Sequence, residues 1–570
     1  MRFKKFLHEN RNKFNQTLNE LHQNKFIERC LNKDYTLWSD KPDEITNRLD
    51  WLFSPEEYLT KKDEIIEFAN EIKNENFGHI LLLGMGGSSL APEVYQKVFG
   101  NFEGYPQLVV LDSTHPVQIK SIEEKIDLEK TLFVVSTKSG GTVETLSLMK
   151  YFYGKVKSIF SEDAGERFIA ITDPGSKLEQ TAKDFHFRKT FLNNPNIGGR
   201  FSALSYFGIV PAGLIGADLK KQLSMAKRFS EETVNLENYE NNYALQLGTF
   251  LGINAEEARD KLTLVFSKRL QPVAAWIEQL IAESTGKQGK GIVPIETNEV
   301  EIPAKYSRDR IFVYTYLEGD DEHRLAVENL KRNGFPVIEI ALDDIYELGA
   351  LFYLWEFATA VAGSIMKINP FDQPDVESAK VAARKMTAEF LQSGKLPETG
   401  EGVYFSDAIY FPKDKVKPLN KLIPELFCKI SDCLENYIGR PYVAIQAFLP
   451  RTEKTDKELQ RFARFIFDKY NVAVTIGYGP RFLHSTGQLH KGDGGNGIFI
   501  QFTDRPNENL PIPNELGSGK SDMTFDVLIQ AQSLGDREAL ISKGRNILKV
   551  ETLGDLSDAI NTIIKILSEF

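Results

Sequence analysis

The 570-residue sequence is poor in cysteine and contains only Cys30, Cys428 and Cys433. Three thiols cannot form the disulfide framework of a small secreted domain, and the Cys428/Cys433 spacing lacks the second pair of ligands that a structural zinc site needs. The basic N-terminus has no apolar h-region, which argues against a secretory signal. These absences lead us to expect a cytoplasmic protein.

Long hydrophobic runs and an excess of positive charge are also missing. The longest apolar stretch, 351–366, includes Glu356 and is too short to cross a bilayer, so it predicts a buried helix and no membrane contact. Lys and Arg number 69 against 80 Asp and Glu, a net charge of −11, which argues against a nucleic-acid binder. An anionic small molecule remains possible as a ligand, because a pocket can be locally positive.

Short apolar runs alternate with helical segments along most of the chain. The runs at 79–83, 132–135 and 168–171 each end in a loop rich in Gly, Ser, Thr or Asp. Continuous apolar strands that alternate with helices indicate parallel sheets covered on both faces, so we predict an α/β fold. Further strands are predicted at 108–111, 262–266, 311–314, 336–340, 442–447, 472–476 and 497–502, and helices at 273–285, 346–366, 418–437, 456–469 and 554–569.

This pattern divides the chain into four regions. We predict a helical segment at 1–50, one α/β domain at 51–235, a second at 236–400 and a third at 401–570. Within the third, the Pro-, Gly- and Asn-rich stretch 503–521 predicts either an ordered surface excursion or a mobile lid.

A loop between a predicted strand and a helix, 137–142, collects groups that bind phosphate. Thr137, Ser139 and Thr142 offer hydroxyls and Lys138 offers a positive charge, while two glycines allow close approach of the backbone. The following helix directs free N–H groups and a partial positive charge toward the loop. A simple N-cap with a tight turn, the alternative, needs fewer polar groups, so we favour a phosphate site.

The loop 84–89 resembles a dinucleotide-binding loop only in part. Its third glycine position is Ser89, and no acidic residue stands plainly in the ribose-binding position. The loop also lacks the lysine of a P-loop. We therefore rank nucleotide binding below sugar-phosphate binding.

Three further segments place polar groups where they can serve acid–base chemistry. Arg200 follows two glycines at a helix start, where it can stabilise an oxyanion or be an ordinary surface arginine. Gln279 and Glu283 share one helix face; burial would raise the pKa of Glu283 and suit it to act as a base, whereas the alternative is a solvated glutamate. The spacing of His484 and His490 matches no helical pair of metal ligands, which favours acid–base chemistry over a metal site.

Together these strings resemble the phosphoglucose (glucose-6-phosphate) isomerase family. GMGGSS, STKSGGTVET, GGRFS, EQLIAESTGK and FDQPDVESAK occur in that family's order between about 50 and 395. Residues 400–570, with GPRFLHSTGQLHKGDGG, resemble the isomerase part of fused transaldolase–phosphoglucose isomerase proteins, and we expect a stand-alone isomerase of that type. The resemblance implies two sugar-isomerase (SIS) three-layer sandwich domains at 51–235 and 236–400, followed by the C-terminal α/β domain.

The resemblance also implies an activity and its residues. The reaction is the reversible isomerisation of glucose 6-phosphate to fructose 6-phosphate, in glycolysis and gluconeogenesis, by a homodimer that needs no cofactor and no metal. Glu283 is implied as the base that moves a proton between C2 and C1, Arg200 as the group that stabilises the cis-enediolate, and Lys380 as a helper at the ring-opening end. The implied substrate contacts are Gly87, Ser88, Thr137, Lys138, Ser139, Thr142, Gln279 and Gln373.

The ring-opening histidine departs from the family's usual order. Only His323 lies between Glu283 and Phe371, and it lacks the expected glycine-rich setting, which the string around His490 matches better. We therefore assign ring opening to His490, with His484 as second choice. Two other functions stay open: another aldose–ketose phosphate isomerase on the same fold, and a non-catalytic sugar-phosphate sensor.

Overall fold

The computed structural model describes residues 1–397, 400–414, 416–433, 441–506 and 509–570, without the side chains of 238 and 429–433. The end of the predicted helix 418–437 and the Cys433 side chain lie outside this description. The strands are β1 (Arg2–Phe6), β2 (His79–Gly84), β3 (Gln107–Leu111), β4 (Thr131–Ser136), β5 (Phe168–Thr172), β6 (Lys189–Leu192), β7 (Lys261–Phe266), β8 (Val293–Thr297), β9 (Arg310–Leu317), β10 (Val337–Leu342), β11 (Val403–Phe405), β12 (Ala408–Phe411), β13 (Tyr442–Phe448), β14 (Ala473–Tyr478), β15 (Gly497–Thr503), β16 (Pro511–Ile512), β17 (Met523–Thr524) and β18 (Asn546–Thr552).

Helices precede, connect and follow these strands. They are α1 (Arg11–Gln23), α2 (Phe26–Leu31), α3 (Ser54–Asn74), α4 (Leu90–Phe99), α5 (Pro116–Glu123), α6 (Val143–Phe160), α7 (Lys177–Asp184), α8 (Tyr206–Leu214), α9 (Leu219–Val234), α10 (Tyr243–Glu256), α11 (Val273–Thr285), α12 (Arg324–Arg332), α13 (Leu348–Ile365), α14 (Val376–Ser393), α15 (Leu419–Cys433), α16 (Glu453–Tyr470), α17 (Gly487–Gly492), α18 (Phe525–Ser542) and α19 (Leu556–Glu569).

The first large sheet has the order β3-β2-β4-β5-β6, and all of its strands run parallel. Strands β2, β4 and β5 are buried almost throughout, as expected for a parallel sheet covered on both faces. In this register Gly84, at the end of β2, pairs with Ser136, at the end of β4. The two glycine-rich loops that follow these strands therefore leave the same edge of the sheet.

The second large sheet has the order β1-β10-β9-β7-β8, with β1 antiparallel at its edge. We predicted only helix for residues 1–50, and this is wrong for Arg2–Phe6. Three of its five residues are Lys or Arg, so its strand conformation depends on the backbone hydrogen bonds offered by β10. Such pairing between distant segments leaves a weak local signal.

The third large sheet has the order β11-β12-β18-β15-β13-β14, in which β18, β15, β13 and β14 are parallel. It has its own apolar core, whereas one continuous core joins the N-terminal helices to the first two sheets. The predicted domain ranges stay a prediction; apart from β1, each large sheet draws its strands from one of them.

Helix α13 crosses the core shared by the first two sheets. By length and composition 345–365 could span a membrane, but 89% of an apolar 18-residue stretch within it is buried inside the protein. It packs against α10, α9 and α11, and its neighbours cover its apolar side chains. The predicted buried helix is thereby confirmed.

The described parts of the stretch 503–521, residues 503–506 and 509–521, adopt the ordered alternative of the two that we predicted. Strands β16 and β17 form a small antiparallel pair, and Leu510, Ile512 and Phe525 join the apolar cluster beneath α6 of the first domain. Lys150, on α6, donates a hydrogen bond to the Asn514 carbonyl. The excursion thus attaches the C-terminal domain to the first domain.

Candidate active site

Two glycine-rich turns meet with their backbones in contact. The turn Gly86–Ser88 follows β2, and a Cβ atom added to Gly87 would lie 2.0 Å from the Gly199 carbonyl oxygen. Gly86 has a positive φ of 55°, and a Cβ there would lie 2.8 Å from Gln279 Nε2. Any larger residue would separate the turn from the groups that it contacts, so both positions require glycine.

Glu283 lies in the last turn of α11, beside Arg200. Arg200 Nη1 is 3.6 Å from Glu283 Oε1, and the two side chains are only 3% and 11% exposed. Gln279, one turn earlier, donates from Nε2 to Glu283 Oε2 at 3.2 Å and to the His484 carbonyl at 2.7 Å. The Gln279 Oε1 atom is buried and has no hydrogen-bond partner among the described residues. A carboxylate, a guanidinium and a free acceptor thus converge.

Every nitrogen of the Arg200 side chain donates a hydrogen bond. Nε donates to Ser284 Oγ at 2.8 Å, and Nη1 donates to Gln373 Oε1 at 2.9 Å. Nη2 donates to the carbonyls of Pro370 and Asp372 at 2.7 and 2.8 Å. Burial lowers the pKa of Arg200, although nearby carboxylates oppose that shift. The guanidinium is therefore fixed in place, as a group that stabilises developing charge should be.

Lys287 is a buried cation that we did not select from the sequence. Its Nζ donates to the Asp372 carbonyl at 2.6 Å and to Asp372 Oδ1 at 2.7 Å, and its side chain is 1% exposed. Burial, together with the neighbouring Arg200, lowers the pKa of Lys287 to about 8. The sequence signal that could have identified Lys287 was its place at the end of the string EQLIAESTGK, two residues after Thr285. Lys287 helps Arg200 to hold the loop that carries Gln373.

The predicted phosphate loop lies at the carboxyl end of β4. The hydroxyls of Thr137 and Thr142 are 2.9 Å apart, and Ser139 Oγ accepts a backbone N–H at 3.3 Å. Thr142 precedes the first turn of α6 and makes no side-chain cap. The Lys138 ammonium is hydrogen-bonded to the Asp173 carboxylate. Hydroxyls and free helix N–H groups thus form a cradle, with the lysine charge at its side.

His484 connects this cradle to Glu283. Its Nε2 is 3.0 Å from Oε1 of Glu144, which lies in the first turn of α6 just after Thr142. Burial by itself would raise the pKa of Glu144, but the charge and hydrogen bond of His484 outweigh it and the pKa is lowered. Because the His484 carbonyl accepts from Gln279, hydrogen bonds lead from Glu144, two residues after Thr142 of the cradle, to Glu283. We did not select Glu144 from the sequence, although it lies in the STKSGGTVET string.

The turn that carries His484 is attached to the first domain by Arg481. Both residues belong to the short helix Arg481–His484 of the C-terminal domain. Arg481 is hydrogen-bonded to Glu93 of α4, and its Nη1 lies 3.4 Å from Asp112 Oδ2. Ser89, just after the Gly86–Ser88 turn, donates from Oγ to Asp112 Oδ2 at 3.1 Å. This network aligns the histidine with the glycine-rich turn.

His490, our first choice for ring opening, is not brought into this group. Its ring lies 5.1 Å from the Phe499 ring and 5.9 Å from the Phe482 ring, and its Nδ1 is 3.3 Å from Gln446 Nε2. Burial, with two nearby cations, lowers its pKa well below 6.5. Leu489, on α17, packs on α11. His490, the next residue of α17, therefore faces the C-terminal sheet instead.

The remaining predicted residues take separate positions. His323 lies beside Tyr314 at the start of α12. Lys380 is exposed in the second turn of α14, where its charge acts on Glu144. Among the described residues no group of three or more His, Cys, Asp or Glu side chains could hold a metal ion. The carboxylate, guanidinium and imidazole that do converge suit acid–base chemistry on an anchored anion.

Comparisons with known proteins show which proteins this chain resembles in sequence and in fold. Residues 66–303 match the family model of phosphoglucose isomerase. The solved structure of a hypothetical protein from Thermus thermophilus aligns with a TM-score of 0.60 and 26% identity, over 68% of this chain and 100% of that one. A glucose-6-phosphate isomerase from Chlamydia trachomatis aligns with a TM-score of 0.57 and 18% identity, over 67% and 86%, which shows the fold alone. The fold is therefore that of the α/β sugar isomerases.

Curated relatives agree with this class. The chain is 29% identical over 386 residues to a probable glucose-6-phosphate isomerase of Methanococcus maripaludis, which covers 60% of this chain and 85% of that protein. It is 27% identical over 386 residues to the glucose-6-phosphate isomerase of Carboxydothermus hydrogenoformans, an alignment that covers 58% of this chain and 82% of that protein. The chain is an enzyme of the aldose–ketose isomerase type. It is related to the phosphoglucose isomerases.

Proposed function

We propose that this chain interconverts glucose 6-phosphate and fructose 6-phosphate through ring opening and a cis-enediolate. The observation that carries the proposal is the series of hydrogen bonds from Glu144, two residues after Thr142 of the cradle, through His484 and Gln279 to the Glu283 carboxylate. We include in the proposal a cytoplasmic location and a role in glycolysis and gluconeogenesis. A homodimer is also part of it, although every group in this set of contacts comes from one chain.

The phosphate binds at the edge shared by β2 and β4. Ser88 follows the first strand, while Thr137, Ser139 and Thr142 follow the second, so their hydroxyls face one anion. The N-terminus of α6 adds free N–H groups and a partial positive charge. Because the Lys138 ammonium already bonds Asp173, we assign it a supporting charge rather than a direct contact.

Ring opening is the task of His484. Its Nε2 faces the ionised Glu144, which favours a proton on that nitrogen. Nδ1 is then the atom that exchanges a proton with the sugar ring oxygen, and Glu144 stabilises the imidazolium state. The exposed ammonium of Lys380 adds positive charge at this end of the site.

Glu283 then moves a proton between C2 and C1 of the open sugar. The fixed Arg200 guanidinium beside it offsets the charge of the enediolate, which requires no rearrangement during the reaction. The free Oε1 of Gln279 is an acceptor for a sugar hydroxyl next to the reacting carbons. Proton transfer by such a base contributes about 10²–10⁴-fold to the rate.

The direct test is to incubate the purified protein with fructose 6-phosphate and to measure glucose 6-phosphate with a coupled dehydrogenase. We expect steady turnover, and deuterium from heavy water at C2 of the product. Mannose 6-phosphate and pentose 5-phosphates are the comparison substrates. Faster turnover of one of these would replace the proposed substrate, and binding without any turnover would instead support a sugar-phosphate sensor.

A further inference from the structure

We propose that Gln532 is a positioning residue that orients the His484–Glu144 pair for ring opening. The proposal rests on the proposed function. Gln532 lies on α18 of the C-terminal domain and is 3% exposed. It touches neither the cradle hydroxyls nor Glu283 in any described contact, so any effect on the reaction must act through the pair.

The hydrogen bonds of Gln532 define which way its amide faces. Thr114 donates from Oγ1 to Gln532 Oε1 at 2.8 Å, so the amide nitrogen is directed to the other side. There Nε2 donates to Glu144 Oε1 at 2.7 Å. The same oxygen is the one that His484 Nε2 approaches at 3.0 Å. One carboxylate oxygen thus receives two N–H groups from the C-terminal domain.

The second N–H group has a physical consequence. The Glu144 side chain is 5% exposed, so few water molecules can replace a lost donor. With two donors on Oε1, rotation of the carboxylate is restricted and the imidazole is held in one orientation. With a single donor the buried charge is poorly compensated, and the carboxylate can turn away from His484.

The contacts around Thr114 hold this arrangement in register. The adjacent His115 is fully buried, and its Nε2 lies 3.1 Å from Asp504 Oδ1 of the C-terminal domain. Thr114 and Glu144 belong to the first domain, whereas His484 and Gln532 belong to the C-terminal domain. The catalytic pair is therefore aligned by the docking of the two domains, and Gln532 transmits that alignment.

The test compares Gln532→Leu with Gln530→Leu, a matched control on the same helix whose side chain makes no hydrogen bond among the described contacts. Fructose 6-phosphate must be opened, whereas 5-deoxyfructose 6-phosphate lacks the hydroxyl that closes its ring. We expect Gln532→Leu to lower kcat for fructose 6-phosphate by about ten- to one-hundred-fold, the value of a hydrogen bond to a charged group. Turnover of the deoxy substrate should stay within about two-fold, as should both activities of the control. Equal losses on both substrates, or no loss on either, would overturn the proposal.

A second variant, Thr114→Val, removes the hydroxyl that orients the amide and changes the side-chain volume little. We expect a smaller selective loss on fructose 6-phosphate, and no further loss when Thr114→Val is added to Gln532→Leu. Additive losses would contradict an action through Gln532. If Gln532→Leu fails to fold, the test is the ratio of kcat for fructose 6-phosphate to kcat for 5-deoxyfructose 6-phosphate in Thr114→Val alone. Lack of turnover by the wild-type protein would refute the proposed function instead, which separates the two failures.

Discussion

Replacing His484 by glutamine separates the proton transfer of the imidazole from its contact with Glu144. The glutamine amide can still donate an N–H group to the carboxylate, which lies 3.0 Å from Nε2 in the native chain. It cannot carry a proton to the sugar ring oxygen. A lost general acid costs about 10²–10⁴-fold, equivalent to roughly 2.7–5.4 kcal/mol of barrier. We expect a loss of that size with fructose 6-phosphate and near-normal turnover of 5-deoxyfructose 6-phosphate.

His490→Gln is the matched comparison in the same segment. His490 is 3% exposed and lies among aromatic rings of the C-terminal domain, so its replacement removes packing rather than a reacting group. We expect a loss of about 1–3 kcal/mol in the free energy of unfolding and turnover within a few-fold of wild type.

Initial rates with both substrates, together with thermal unfolding of each variant, give the answer. The reasoning would be refuted if His490→Gln, properly folded, lost turnover of fructose 6-phosphate selectively while His484→Gln kept it. A loss on both substrates in His484→Gln would place that residue in the proton-transfer step instead.

Other side chains of the site and the core give three more predictions. Glu283→Gln should lower kcat by about 10²–10⁴-fold while the Kd of a sugar-phosphate inhibitor changes only a few-fold; turnover close to wild type would place the base elsewhere. Thr142→Val should raise KM for fructose 6-phosphate about ten-fold with little change in kcat, because its hydroxyl caps no helix bond; an unchanged KM would remove it from the cradle. Burial raises the pKa of Glu356 well above 4.5, so the folded chain binds the extra proton and the free energy of unfolding should fall as pH rises above about 4.5. Glu356→Gln should weaken this dependence of the free energy of unfolding on pH, as measured by denaturant titrations at several pH values. An unchanged pH dependence would contradict a raised pKa at Glu356.

Much of the fold was predictable because its central strands are buried on both faces. The runs within β2, β4 and β5 are continuously apolar, so local composition identifies them without knowledge of the partner strands. The strands that we missed include β1, β8 and β18. The first is an edge strand rich in charge, and the last carries Lys549 and Glu551 within a buried sheet position. Such strands are defined by pairing with distant segments.

For this chain, the sequence by itself determined the residue types and the loops that follow the strands. Turns with glycine and hydroxyl groups at strand ends must meet at one edge of a parallel sheet, so the cradle could be proposed from pattern alone, whereas the role of Glu283 came from the family resemblance. Only the tertiary structure decided which histidine reaches them. His484 and His490 are six residues apart with similar neighbours, but docking of the C-terminal domain directs one toward Glu144 and the other into its own core. Glu144, Lys287 and Gln532 acquire their roles for the same reason, because contacts between distant segments cannot be read from local sequence.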